Sequence, residues 1–233
     1  MSSDSDVKKG VFITGATRGI GRALTKQLVE AGFSVFGTGR DEGLLESLKL
    51  ETECLGATAD ISDPARAVEI YAQAEEALGV VDILINNAGF NHLRAPVVET
   101  GLEDWESQYA VNLRAPFLLS RSALREMGKR RSGHIVNVIS TIAKTSQPGY
   151  ALYSTMKYGL MGFTKCLIKE AREVNVKVTA VYPGGTDTDF RQASRPAYLT
   201  AESAARMIFH CVTAPDDVVI HDLTYRPMIE SNF

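Results

Sequence analysis

The chain has 233 residues, 45% hydrophobic and 23% charged, with 25 Lys plus Arg against 28 Asp plus Glu for a net charge of −3. Such a composition is globular rather than disordered and supplies apolar material for one sizeable core. A mildly acidic chain has no broad attraction for phosphate polymers or anionic membranes, which argues against nucleic-acid and membrane partners. No apolar run reaches the ~18 residues of a spanning helix, and no signal-type stretch follows the polar opening MSSDSDVKK. Cys54, Cys166 and Cys211 are far apart, and His92, His134, His210 and His221 lack ligand spacing. Neither a disulfide framework nor a metal site is expected, and reduced thiols fit a cytoplasmic protein.

In chain order, β-rich runs fall at 10–14, 34–38, 53–58, 81–85, 134–139, 176–181 and 218–220. Apolar residues at i, i+3, i+4 spacing mark helices at 19–31, 44–48, 64–77, 105–127, 153–173 and 201–212. Ser62-Asp63-Pro64 reads as a helix start and Gly79 as a helix stop. The runs 81–85 and 176–181 are apolar at nearly every position, the mark of strands covered on both faces. Strict alternation then predicts an α/β fold: one doubly wound, Rossmann-like parallel sheet with helices on both faces. Residues 10–233 read as one domain behind a flexible 1–9 tail, and the aperiodic segment 186–200 as a lid.

The first strand runs into Thr14-Gly15-Ala16-Thr17-Arg18-Gly19-Ile20-Gly21 and then a helix. Glycines in such a turn permit positive φ and let a pyrophosphate approach the backbone, while the helix amino end offers unpaired N–H groups. A lone G-x-x-x-G-x-G also fits a merely tight turn; the strand–turn–helix setting points to a dinucleotide. An acidic residue ~20 positions further on would hold a ribose 2′-hydroxyl. Gly39 stands there instead, followed by Arg40, with Arg18 inside the turn. Two guanidiniums suit a 2′-phosphate, so NADP(H) is the preferred cofactor; Asp41, next in line, keeps NAD(H) open.

With these motifs the chain resembles the short-chain dehydrogenase/reductase family in its compact form of about 250 residues. The resemblance runs from Gly10 to about Ile220 and rests on the 14–21 turn, Asp60, Asn86-Asn87-Ala88-Gly89, Asn112, Ser140, Tyr153-x-x-x-Lys157 and Pro183-Gly184. Each motif is short and unspecific; the full set in the family's order is specific. It implies that Gly15, Thr17, Arg18, Gly19, Ile20, Gly21 and Arg40 bind the cofactor. By the same resemblance Asp60 holds the adenine amino group, with the Ile61 backbone beside the base. Asn87, Ala88 and Gly89 line the adenosine ribose, and Pro183 and Gly184 cover the nicotinamide. Either Thr186 or Thr188 contacts the nicotinamide end, a choice the resemblance leaves open.

Tyr153 and Lys157 are four apart on a predicted helix and share a face. A phenol near pKa ~10 is a slow base at neutral pH; an adjacent ammonium and an oxidised nicotinamide ring favour the phenolate. Ser140 ends the fifth strand run, at the edge where ligands bind in open α/β sheets, and its hydroxyl can donate to a developing oxyanion. Asn112 lies within a long predicted helix, where a buried amide is costly. The plain alternatives are an exposed Tyr/Lys pair, a strand-end cap and a local repair of the helix backbone. The resemblance implies a catalytic set instead: Ser140 polarises a carbonyl that receives the pro-S hydride of NADPH. Tyr153 donates the proton, and Lys157, which also holds the nicotinamide ribose, replaces it with Asn112 through water.

Substrate contacts are expected from Ser140, Tyr153, Gln147, Tyr150 and His92, with Phe190, Arg191, Arg195 and Tyr198 in the lid. The expected partner is a small carbonyl or alcohol, of carbonyl, 3-oxoacyl or hydroxy-acid type. The 221–228 ending lacks the Asp-Gly-Gly of many acyl-carrier reductases and is more similar to carbonyl or hydroxy-acid reductases with a Leu-x-x-x-Pro tail. Alternatives are an NADPH-binding regulator or scaffold without turnover, which the intact Ser, Tyr and Lys oppose, and an NAD-dependent alcohol dehydrogenase. Epimerisation or dehydration on this fold usually takes longer chains. Phe117, Leu118, Phe163 and Leu167 put apolar groups on more than one face of the two long helices, and with the resemblance predict a homodimer or homotetramer.

Overall fold

The computed structural model describes residues 8–190 and 194–231, so Arg191 and most of the 1–9 tail lie outside the described residues. In chain order come β1 (Gly10–Thr14), α1 (Gly19–Glu30), β2 (Ser34–Gly39), α2 (Glu42–Thr52), β3 (Leu55–Thr58), α3 (Pro64–Leu78) and β4 (Ile83–Asn86). There follow α4 (Leu102–Tyr109), α5 (Ala115–Arg130), β5 (His134–Val138), α6 (Ala151–Glu173), β6 (Lys177–Pro183), α7 (Ala201–Val212) and β7 (Asp222–Tyr225). The strands form one sheet in the order β3-β2-β1-β4-β5-β6-β7, parallel throughout. The chain winds outward from β1 to β3 and then returns to β4, so the order reverses between β1 and β4. The carboxyl ends of those two strands flank the crevice where ligands bind in such sheets.

Side-chain alternation explains why both faces are covered. Phe12, Phe36, Leu84 and Ile135 point to one face and pack with Ile70, Leu119 and Leu167 from α3, α5 and α6. Val11, Ile13, Val35, Ile83 and Val136 point to the other and pack with Leu24, Leu28, Leu48 and Ile208 from α1, α2 and α7. The predicted start of α3 is present: Asp63 Oδ1 accepts from Ala65 N–H at 2.7 Å and Arg66 N–H at 3.3 Å, with Pro64 in the first turn. Gly79 ends that helix at φ +74°. Lys9, read as tail, already joins the fold, its carbonyl accepting from Ser34 N–H at 3.1 Å.

Two sequence expectations need correction. The single helix expected at 105–127 is α4 and α5 joined by a π turn at Ala110–Arg114. Inside that turn buried Asn112 donates from Nδ2 to Gln108 O at 3.1 Å, a side-chain partner where the helical ladder is broken. The last strand is not 218–220 but β7, and the β-branched run precedes it as a loop. Val218 N–H closes a turn on Pro215 O, and Lys177 Nζ donates to the carbonyls of Pro215 and Val218. Leu223 and Tyr225 alternate inward onto the α7 side of the core, which the 218–220 run does not do. Among the described residues no helix is long and apolar enough to cross a membrane.

Candidate active site

The glycine turn is shaped by close approach. Gly15 and Gly19 hold φ of +66° and +50°. A Cβ on Gly21 would lie 2.1 Å from Gly15 O, and one on Gly15 2.9 Å from Ala88 Cα. A Cβ on Gly39 would lie 2.7 Å from the buried side chain of Thr17. A side chain at this position of β2 would press on Thr17 and require that threonine to turn away. Ala16 N–H donates to Thr38 O at 3.0 Å, fixing the turn to β2, and Ile20 anchors α1 in the core.

The 87–89 segment is latched to the same turn. Thr14 Oγ1 accepts from Asn87 N–H at 3.1 Å and Ala88 N–H at 3.0 Å. Asn87 Nδ2 returns two bonds, to Thr14 O at 3.0 Å and Gly15 O at 3.2 Å. Thr14 ends β1 and opens the glycine motif; its latch role follows only from β1 and β4 being neighbours.

Arg18, Arg40 and Asp60 are exposed around the carboxyl ends of β1, β2 and β3. Arg18 Nη2 donates to Asp41 Oδ2 at 3.0 Å across a solvated surface, an ion pair weak enough to exchange for another anion. Asp41 Oδ1 caps α2 through Leu44 N–H at 3.0 Å. That N–H, together with Arg18, holds the Asp41 carboxyl below its ordinary range against the opposing effect of burial. Asp41 is thus engaged by a helix end. Burial raises the Asp60 carboxyl, but Ser62 and nearby Arg40 outweigh it and leave the net shift downward. Ile61 turns its side chain into the core.

Lys157 is 2% exposed on α6, and its Nζ donates to Val138 O at 3.2 Å. Burial lowers its pKa from 10.5 to about 8. The same Nζ lies 5.7 Å from the centre of the Tyr153 ring. Asn112 clasps Phe90: Oδ1 accepts from Phe90 N–H at 3.2 Å, and Nδ2 donates to Phe90 O at 2.9 Å. A Cβ on Gly89 would lie 2.9 Å from Asn112 Oδ1 and 3.4 Å from Lys157 Nζ, so Gly89 leaves open a space that both atoms face. Ser140 Oγ accepts from Ile142 N–H at 3.2 Å, which turns its own proton elsewhere.

Segments around this centre bring further predicted residues together. A Cβ on Gly19 would lie 3.2 Å from Thr188, placing that threonine against the glycine turn. Thr186 is buried and donates to Gly184 O at 3.2 Å. The Phe190 ring lies 5.9 Å from that of Tyr153. Tyr150 stands under the Arg94 guanidinium at 5.1 Å, an arginine with no sequence signal of its own. Gln147 is exposed, its carbonyl accepting from Tyr150 N–H. His92 bonds Asp104 Oδ1 at 2.8 Å and stacks on Phe90 at 5.3 Å, serving as a loop clasp. Arg195 donates to Tyr198 Oη at 2.8 Å.

The family model of the short chain dehydrogenases matches residues 9–199. The chain belongs to that family. It is an oxidoreductase fold in sequence as well as shape. The 3-oxoacyl-(acyl-carrier-protein) reductase of Aquifex aeolicus is 38% identical over 184 residues, 76% of this chain and 74% of that one. The reductase of the same name from Escherichia coli K12 is 33% identical, over 79% of this chain and 76% of its own. Among solved structures, a serine dehydrogenase in closed form complexed with NADP+ gives a TM-score of 0.89 at 28% identity, covering 95% of this chain and 96% of that one. Serine dehydrogenase from Escherichia coli gives 0.87 at 29%, covering 95% and 99%.

Proposed function

We propose that the protein is an NADP(H)-dependent oxidoreductase, one catalytic domain over residues 10–233, interconverting a small carbonyl compound and its alcohol. The observation that carries this reading is the buried Lys157 ammonium, held beside the Tyr153 ring and facing the gap left by Gly89 together with Asn112. When bound, the nicotinamide supplies or accepts the hydride. The glycine cradle fits a dinucleotide, since side chains at Gly15 and Gly21 would strike backbone. Gly15, Thr17, Gly19, Ile20 and Gly21 hold the diphosphate end, and Arg18 and Arg40 the 2′-phosphate. Asp60 and the Ile61 backbone hold the adenine, and Asn87, Ala88 and Gly89 the ribose. Pro183 and Gly184 cover the nicotinamide; Thr188, against Gly19, makes the contact there rather than inward-turned Thr186.

Ser140 donates its hydroxyl proton to the substrate oxygen, because its Oγ is already turned by Ile142 N–H. Tyr153 delivers the proton to the alkoxide, and in the reverse direction takes it up as phenolate. Lys157 favours that phenolate by charge. With a pKa of about 8 the lysine stays largely protonated at pH 7. Asn112 fixes Phe90 as a wall of the site, and its Oδ1 shares with Lys157 Nζ the gap where a relay water would stand. Hydroxy-acid or simple carbonyl substrates are favoured over carrier-bound ones. The 221–228 ending, which lacks the Asp-Gly-Gly of many acyl-carrier reductases, supports this preference.

Two copies pair through α5 and α6 in this reading. Phe117, 41% exposed, packs edge to face with Phe163 at 5.7 Å, and Tyr158 is 40% exposed on the same pair of helices. A monomer in sedimentation at micromolar concentration overturns the pairing. The catalytic reading is tested by titrating NADPH and NADH through reduced-nicotinamide fluorescence, then adding small ketones, aldehydes and oxo acids. Preferential NADPH binding, weakened in Arg40→Ala, with turnover on a carbonyl is the expected result. Tight NADPH binding without turnover across the panel moves the protein to a sensor, and NADH preference moves it to an alcohol dehydrogenase.

A further inference from the structure

The tail after β7 lies beyond the 9–199 stretch shared with the family model, yet it reaches the turn that follows β6. Glu230 Oε1 accepts from Gly185 N–H at 3.1 Å. Its other oxygen, Oε2, accepts from Arg226 Nε at 2.9 Å, with the two side chains only 16% and 12% exposed. Glu230 N–H closes a turn on Pro227 O at 3.1 Å, so the carboxylate is aimed by its own backbone as well as by the guanidinium. The β6 side is built to receive it. A Cβ on Gly184 would lie 2.8 Å from Glu230 Oε2 and 2.9 Å from Arg226 Cα. A Cβ on Gly185 would lie 2.7 Å from Glu230 Oε1 and 2.3 Å from the Tyr198 ring. The two glycines therefore have a steric requirement set from behind, by the tail and the Tyr198 ring. On its other side the turn continues through Thr186, bonded to Gly184 O, to Thr188 against Gly19.

We propose that Glu230, oriented by Arg226, is a positioning residue that clamps the 183–188 turn and so sets how tightly the nicotinamide end of the cofactor is held. The assignment rests on the proposed function, because it takes that turn to face the nicotinamide. A charged acceptor for a partly buried N–H contributes more than a neutral one. Losing it frees Gly185 and lets the turn sample positions in which Thr188 leaves Gly19. Glu230 touches neither substrate nor reacting atoms; it acts through the backbone of the turn.

The experiment compares wild type, Glu230→Gln and Glu230→Ala by three readouts: NADPH affinity from fluorescence, amide exchange at Gly185 without cofactor, and the split between KM and kcat. Glu230→Ala is expected to weaken NADPH binding about tenfold or more and to speed Gly185 exchange at least tenfold. The KM for NADPH rises while kcat changes less than threefold. Glu230→Gln keeps an oxygen for Gly185 but sets an amide NH2 against Arg226 Nε, so its affinity falls between those of wild type and Glu230→Ala, and a cooperative thermal melt of each variant shows that the fold is intact. Unchanged NADPH affinity in Glu230→Ala, while wild type binds NADPH normally, overturns the clamp alone. Failure of wild type to bind either nicotinamide overturns the proposed function and this role with it. Faster Gly185 exchange with unaltered affinity also sinks the proposal, since the contact would then tie down a turn that does not hold the cofactor.

Discussion

One face of α6 serves two buried polar clusters. Thr164 belongs to the first and Lys157 to the second, seven residues and about 10 Å apart at ~1.5 Å per residue. In the first, Asn86 Nδ2 donates to Ser120 Oγ at 3.0 Å and to Asn137 Oδ1 at 2.8 Å. Asn137 Nδ2 then donates to Thr164 Oγ1 at 2.9 Å, and Thr164 to Leu160 O at 2.7 Å. This neutral chain ties β4, β5, α5 and α6 together without burying a charge. The second cluster, of Lys157, Asn112 and the Phe90 backbone, keeps an ammonium at 2% exposure. Folding alone favours discarding that charge, since an uncompensated buried ion costs far more than a neutral polar group. The first cluster serves the fold; the second costs the fold stability, and the proposed function gives that cost its reason.

The largest expected effect removes the proposed acid–base group beside the charged cluster. Tyr153→Phe should lower kcat by about 10²–10⁴-fold with NADPH affinity almost unchanged. Near-wild-type turnover would show that the buried ammonium has no proton partner in Tyr153. Lys157→Met comes next and divides the clusters most directly. It should lower turnover by about 100-fold or more. It should also raise unfolding free energy at pH 7 by up to about 3 kcal/mol, because the shift from 10.5 to about 8 is stability lost to a buried charge. The wild type carries the same signature. Between pH 8 and 10.5 the unfolded state binds more protons than the folded state, so stability rises with pH across that window. A Lys157→Met protein less stable than wild type in denaturant melts would make the ammonium a structural group like Thr164.

The neutral cluster should answer in the opposite sense. Asn137→Ala strands Asn86 and Thr164 and should destabilise by about 1–3 kcal/mol. Turnover per folded molecule should stay within about threefold of wild type. A large kcat loss with little change in melting would mean that the two clusters act as one.

How much of this was legible beforehand depended on whether a feature is local. The glycine turn, the Asp63 cap and the Tyr153-to-Lys157 spacing are short-range patterns, and the structure places them on the predicted elements. The π turn escaped because i, i+3, i+4 periodicity continues almost undisturbed across one wide turn; buried Asn112 was its sole mark. The seventh strand is hard to place because the β-branched 218–220 run is a stronger local signal than the alternation of Leu223 and Tyr225. The Thr14 latch, the Arg94 stack on Tyr150 and the Glu230 clasp join residues 45 to 74 positions apart, so no local signal announces them. The close approach of Gly39 to Thr17 becomes visible only with β2 beside the turn.

The smallest effect at neutral pH concerns a third buried group, which sharpens the same contrast. His134 lies at the start of β5, its Nε2 bonded to Thr179 Oγ1 at 2.7 Å. Burial, with Lys177 and Lys9 nearby, lowers its pKa from 6.5 to about 4. Desolvation acts on His134 as it acts on Lys157, yet the outcome at pH 7 differs. The imidazole is already neutral and fits the fold without ionic cost, whereas the lysine still carries its charge. Between pH 6.5 and 4 the unfolded state binds the proton that the folded state refuses, so stability rises with pH there and falls on acidification. The loss should approach about 3 kcal/mol by pH 4. His134→Gln, which keeps a polar partner for Thr179, should leave stability at pH 7 within about 1 kcal/mol and flatten that acid limb. An unchanged acid limb in His134→Gln would assign it to carboxylates. A large loss at pH 7 would show that the imidazole, though neutral, holds β5 to β6 as firmly as the asparagine network holds β4 to β5.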